Sequence, residues 1–170
     1  MKQHKGMRMH DVAILLKIAA KEKEKWMMKD LSYELGISAS EISESINRSV
    51  IAGLLAPDKK KLMKLALLDF LQFGLPYVFP IKAGALVRGT PTAHSVFPLN
   101  EKIMSNELMV WPDANGTVRG QAIEPLHPRL IEASLKDEKL YELVALCDSL
   151  RIGKVREKQL AITELKRRIC

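Results

Sequence analysis

Cysteine is almost missing from this chain of 170 residues; there are two, Cys147 and Cys170. Neither has a Cys or His neighbour at metal-ligand spacing, so no disulfide framework and no thiolate metal site is expected. That fits a reducing cytoplasm. Aromatic residues are scarce as well, at 5%. Leu, Ile, Ala and Met carry the apolar content instead, which favours helix–helix packing over a β-sandwich. Long hydrophobic runs are absent. Val12 to Ala20 is too short and too amphipathic to span a membrane, and the basic start, MKQHKGMRMH, leads into no apolar signal region. Catalytic spacing is missing too. His94, Ser95, Asp113, Glu124 and His127 supply reactive atom types. They form no nucleophile elbow, phosphate loop or metal triad. No enzyme activity, cofactor or metal is expected.

What remains is ordinary globular material, 47% hydrophobic and 28% charged. The length suits one medium domain or two small ones. The formal charge of +7 and pI near 9.4 attract polyanions and put nucleic acid first among partners.

Hydrophobic spacing predicts a helix over 10–22, with Val12, Leu15, Leu16 and Ala19 on one face and KEKEK at 21–25 as its solvated end. A second helix covers 28–35, with Leu31 and Leu35 four apart. Gly36 stops it in the left-handed conformation. Ser38 caps a third helix, and Glu41 stands where the reciprocal partner of a capping box belongs. Ile42 and Ile46 continue the inward face as far as Ala52-Gly53. A fourth helix is expected from about Lys59 to Phe73.

Most of the prolines fall between residues 75 and 123, where loops and short strands are expected. In ELMVWPDANGTVRGQAI, the arms Leu108 to Trp111 and Thr117 to Ile123 flank Asn115-Gly116. That reads as a β-hairpin. Val-Arg-Gly occurs at 87–89 and again at 118–120, so two strands with matching Arg-Gly steps can lie side by side. Arg88 and Arg119 are candidate contacts for phosphate, a nucleotide-like ligand or an acidic partner. Trp26 and Trp111 read as packing anchors. Helix resumes after Pro128. The stripe Leu140, Leu143, Val144, Cys147, Leu150 and the face Val155, Ile162, Leu165, Ile169, separated by Gly153, read as an antiparallel pair. The basic tail (Arg151, Lys154, Arg156, Lys158, Lys166, Arg167, Arg168) adds possible phosphate contacts.

The stretch LSYELGISASEISESINRSVIAGLL, Leu31 to Leu55, resembles the helix-turn-helix of bacterial winged-helix, MarR-like transcriptional regulators. The resemblance rests on Leu35, Gly36, Ile37, Ser38, Ser40 and Ser43, then Ala52, Gly53, Leu54 and Leu55. It departs at Ser49, where Leu is common, and at the apolar Val50 and Ile51; the wing after Pro57 must be short or absent. The resemblance implies a second helix seated in the major groove, about 12 Å wide. Ser38, Ala39, Ser40, Ser43, Glu44 and Asn47 then face DNA, Arg48 reaches a phosphate, and Lys29 and Tyr33 hold the backbone.

The expected fold is mainly α (α+β). It has an N-terminal, winged helix-turn-helix at 1–74, a loop and β-hairpin region at 75–127, and a C-terminal antiparallel helical pair at 128–170. The expected function is a cytoplasmic, sequence-specific regulator of transcription, a repressor. It binds double-stranded DNA as a homodimer built on the first helix and the C-terminal pair, with no membrane contact. The alternative is a protein-interaction subunit, such as an antitoxin that neutralises a toxin partner through residues 75–125.

Overall fold

A computed structural model describes residues 5–170; the first four residues of the basic N-terminal stretch lie outside the described residues. The chain is mainly helical with one small sheet in the middle. Helix α1 spans Met9–Ala20, α2 Met28–Leu35 and α3 Ala39–Ile51. The turn between α2 and α3 follows from two local choices. Gly36 takes φ +66°, closing α2, and the Ser38 hydroxyl accepts the Glu41 N–H at 3.3 Å, opening α3. The helices cross on a shared apolar seam of Leu31, Leu35, Ile42 and Ile46, all buried.

After α3 the expected helix from Lys59 is not formed. Residues 54–63 make a tight hairpin instead. Leu55 and Leu62 form an antiparallel bridge, Ala56 N–H donates to Lys61 C=O at 2.9 Å, and Met63 N–H to Leu54 C=O at 3.0 Å. The cause is Asp58. Its carboxylate accepts the N–H groups of Lys60 and Lys61 at 2.8 and 3.0 Å, and Lys59 goes to φ +62°. A side chain that takes backbone donors in this way competes directly with helix. Helix α4 therefore starts only at Lys64, running to Phe73, and the short α5 follows at Leu75–Val78.

The middle region folds into strands β1 (Leu86–Pro91), β2 (Met109–Pro112) and β3 (Val118–Ala122). The predicted hairpin between the last two is overturned. β2 and β3 pair parallel, Met109 with Gln121, and each runs antiparallel to β1. Asp113 is again the reason. Its side chain accepts Asn115 N–H at 3.0 Å and its carbonyl accepts Gly116 N–H at 2.9 Å, while neither Asn115 nor Gly116 takes the positive φ a hairpin turn needs. The chain crosses β1 at Gly89. A Cβ on Gly116 would sit 2.3 Å from Gly89, and one on Gly89 2.0 Å from the Trp111 carbonyl.

Helices α6 (Leu130–Leu135), α7 (Glu138–Ile152) and α8 (Val155–Ile169) complete the chain. α7 and α8 form the expected pair. The single-face stripes read for α1 and α7 are corrected. α1 is buried on every side from Asp11 to Ala20, and α7 throughout from Leu143 to Arg151. The two pack on each other, so one continuous core runs from Val12 to Ile169. From Asp11 to Ala20, α1 is enclosed by its own chain.

Burying charged helices requires partners. Lys17 donates to Asp137 at 2.5 Å and lies 2.7 Å from Glu34, which also takes Lys21 at 2.8 Å. Burial works against the Lys17 ammonium, but these bonds outweigh it and hold its pKa above the usual lysine value. Asp148, fully buried, accepts the Thr92 hydroxyl and the Trp111 indole N–H, each at 2.7 Å, and Arg151 at 3.1 Å. Arg151 also donates to the carbonyls of Phe79 and Glu124. This network fastens the sheet to α7. Trp111 is the anchor expected of it, and Trp26 packs half-buried against the core. Among the described residues no helix is long and apolar enough to cross a membrane.

Candidate nucleic-acid interface

α3 packs chiefly against α1 and α2. Ile42, Ser45, Ile46 and Ser49 fill its inner side. Helical spacing places Ser40, Ser43, Glu44, Asn47 and Ile51 on the opposite side. There Ser40 and Glu44 are exposed, Ser43 and Asn47 half-buried, and Ile51 is 53% exposed. Among the described residues, none buries Ile51. Ser38 and Ala39 lie exposed at the helix start, and the Ser38 and Ser40 hydroxyls are 3.3 Å apart. On α2, Lys29 is exposed and Tyr33 is 90% exposed. Ser38, Ala39, Ser40, Ser43, Glu44 and Asn47 thus lie along one exposed to half-buried side of α3 and its start. The capping box is half made. Ser38 caps, and among the described residues no hydrogen bond returns from its N–H to Glu41.

Arg48 departs from its expected role. Its guanidinium is held by buried Asp11 through two bonds, Nε to Oδ2 at 2.9 Å and Nη2 to Oδ1 at 2.7 Å. Nη2 also lies 3.2 Å from His10 Nε2, and Nη1 3.8 Å from Glu44. Burial pushes the Asp11 carboxyl up. The bonds from Arg48 and from the Arg8 N–H, the latter at 2.8 Å, more than reverse this and leave it below the usual carboxylate range. Arg48 is therefore a strut between α1 and α3, not a free phosphate contact. Glu44 leans towards the same arginine, which offsets part of its negative charge.

Two groups escaped the sequence reading. The first is the hairpin tip, where three exposed lysines, Lys59 to Lys61, follow α3 and lead to exposed Lys64. The basic run was visible, but a helix would have spread it around an axis. The second is Arg129, an exposed residue whose side chain lies 3.5 Å from the position of a Cβ on Gly36, against the turn between α2 and α3. Nothing local signals this, because the contact is made across the fold. Nearby, the His127 and His10 rings meet edge to face at 6.2 Å. Burial, with His10 and Arg129 adding, lowers the His127 pKa, while Glu41 opposes.

The basic tail divides. Arg151 is buried in the Asp148 network, and Arg168 is bound by Glu142 and Glu164, so neither is free for phosphate. The side chains with catalytic atom types do not converge. His94 Nε2 contacts the Glu107 carbonyl at 2.8 Å, Ser95 accepts Met109 N–H at 2.8 Å, and Asp113 takes the Thr90 hydroxyl at 3.0 Å. Among the described residues no His, Cys, Asp or Glu group can hold a metal ion. Arg88 and Arg119, by contrast, are brought together as direct cross-strand partners, both exposed. No protein family, no curated protein and no solved structure matches the chain.

Proposed function

We propose that this protein is a sequence-specific DNA-binding regulator of transcription, a repressor acting as a homodimer. One observation carries the reading. The outer side of α3 presents Ser40 and Glu44 exposed and Ser43 and Asn47 half-buried, while α3 packs chiefly on α1 and α2 among the described residues, and a lysine-tipped hairpin follows it in the chain. Ser and Asn hydrogen-bond base edges, and Glu accepts from cytosine N4. Lys29 on α2 and Arg129 against the turn between α2 and α3 supply positive charge for the backbone, and Lys59, Lys60 and Lys61 add more on the hairpin that follows α3. The test is binding to a labelled fragment from upstream of the protein's own gene, over a salt series and against unrelated DNA. Asn47→Ala and Ser43→Ala are expected to weaken the specific complex about 5- to 100-fold, and Lys60→Gln to weaken all DNA alike and flatten the salt slope. Binding that disappears under competitor overturns the reading.

The second copy is assigned to α4 and α5 rather than to the first helix. Leu65 and Phe73 lie on the outer side of α4 with Asp69 between them, and Tyr77 and Val78 continue the patch on α5. They are 73%, 66%, 82% and 52% exposed. Four exposed large apolar side chains on two consecutive helices fit an interaction surface. It begins just past the hairpin, so a two-fold contact there fixes the spacing of the two α3 helices. Phe73→Ser with Tyr77→Ser is expected to give a monomer by light scattering; a persistent dimer refutes the assignment.

A further inference from the structure

Arg88 and Arg119 stand directly opposite each other on antiparallel strands β1 and β3. Cross-strand partners have Cβ atoms about 5 Å apart, and like charges in that position destabilise a sheet. Among the described residues neither guanidinium meets a carboxylate, and both are exposed. The acidic side chain that β1 does engage, Asp113, is occupied by the Thr90 hydroxyl and the Asn115 N–H. The register is not free to slip. Each arginine precedes a glycine pressed against backbone: a Cβ on Gly89 would lie 2.0 Å from the Trp111 carbonyl, and one on Gly120 2.6 Å from that of Leu108. The repeated Val-Arg-Gly is thus a device that holds two uncompensated forks side by side.

We propose that Arg88 and Arg119 form a clamp for the phosphate group of a small phosphomonoester. Two planar forks offer paired donors to the terminal oxygens of one phosphate, a geometry that a single oxygen or a monodentate acceptor does not fill. A dianion also cancels both charges at once. The next cross-strand pair on the same side, Leu86 with Gln121, gives the remainder of the ligand an apolar side chain, 60% exposed, and an amide. The sheet packs chiefly on the 93–95 turn rather than on α3. The clamp is therefore separate from the strip of α3, and it stands whether or not α3 reads DNA.

The test uses the full chain in titration calorimetry and thermal melts, with inorganic phosphate and adenosine 5′-monophosphate as probes and chloride at equal ionic strength as the control. Saturable binding with a rise in Tm is expected for both probes. In Arg88→Gln and in Arg119→Gln, affinity is expected to fall at least about tenfold. Without ligand, each variant is expected to melt at or above the temperature of the parent, because the repulsion is relieved; this also reports that it folds. Binding to duplex DNA is expected to be unchanged. No saturation beyond the chloride control overturns the proposal, as does phosphate binding that survives both substitutions. A loss of DNA affinity in the two variants comparable to that of Asn47→Ala overturns it as well, by assigning the clamp to the DNA backbone.

Discussion

Replacing Arg48 by Met separates a strut from a phosphate contact. The Asp11 side chain is 0% exposed and Arg48 12%, and the two charge-assisted bonds between them are 2.7 and 2.9 Å long. Removing the guanidinium leaves a carboxylate in the core with the Arg8 N–H, at 2.8 Å, the Ser45 hydroxyl, and His10, at 3.7 Å, beside it. Stripping one partner from a buried pair costs about 3–5 kcal/mol. For a chain of this size that is a fall in Tm of roughly 6–20 °C. The opposite deletion, Asp11→Asn, is milder, about 1–3 kcal/mol, because the arginine left behind reaches solvent and Glu44. The double variant is expected to be more stable than Arg48→Met alone, since the stranded charge is gone. Thermal and urea melts of the four proteins measure this. DNA binding adds a second readout: if Arg48 only braces α3, the affinity lost in Arg48→Met returns in the double variant. A melt of Arg48→Met within about 1 kcal/mol of the parent, joined to weaker DNA binding in both Arg48 variants, refutes the reasoning.

Three other outcomes follow from the same coordinates. Gly89→Ala places a methyl 2.0 Å from the Trp111 carbonyl, a backbone atom that cannot turn aside; a loss of about 3 kcal/mol or more is expected, with the near-ultraviolet signal of Trp111 changed, and a tolerated alanine would contradict the strand crossing. Ser49 is buried and, among the described residues, its hydroxyl has no hydrogen-bond partner, so Ser49→Ala is expected to stabilise by about 1 kcal/mol, read as a Tm rise of roughly 2–4 °C. In acid, Asp11, Glu34 and Asp137 act together. In each, burial raises the pKa, but the bonds from Arg48, Lys17 and Lys21 outweigh it and hold it below the free value. A depressed carboxyl stabilises above its unfolded pKa and loses that contribution as pH falls through the folded one. Stability is therefore expected to be level from pH 7 to about pH 5 and to decline below about pH 4. Lys17→Met should shrink the acid-side decline, and an unchanged slope counts against the pairing.

The parts of this fold that were legible in the sequence are those whose cause is local. Gly36 and Ser38 set the end of α2 and the start of α3 through atoms three or four residues away, so both boundaries, and the polar strip from Ser38 to Asn47, were readable. Two misreadings share one cause. Asp58 and Asp113 each capture backbone N–H groups just ahead of them, which stops a helix in one case and a hairpin in the other. Lysine-rich and Asn-Gly sequences state a preference, but one carboxylate bonded to the backbone is enough to reverse it. The remaining errors come from distance. Asp11 and Lys17 are both buried, yet they fall outside the apolar face Val12, Leu15, Leu16 and Ala19, because a charge counts as polar in any periodicity. Their partners, Arg48 and Asp137, lie 37 and 120 residues further along the chain. Arg48 departs from its expected role for the same reason: an arginine on a helix that resembles a DNA-facing one is read by its reach, while its role is set by what already holds it. Arg88 and Arg119 show the converse. Their partnership is also non-local, yet the repeated Val-Arg-Gly made it visible, because both glycines are fixed by backbone contact and both arginines then fall into one register. A long-range pairing leaves a mark on sequence only where sterics restrict the residue beside it; where charge alone makes the pair, as in Asp11 and Arg48, the sequence carries none.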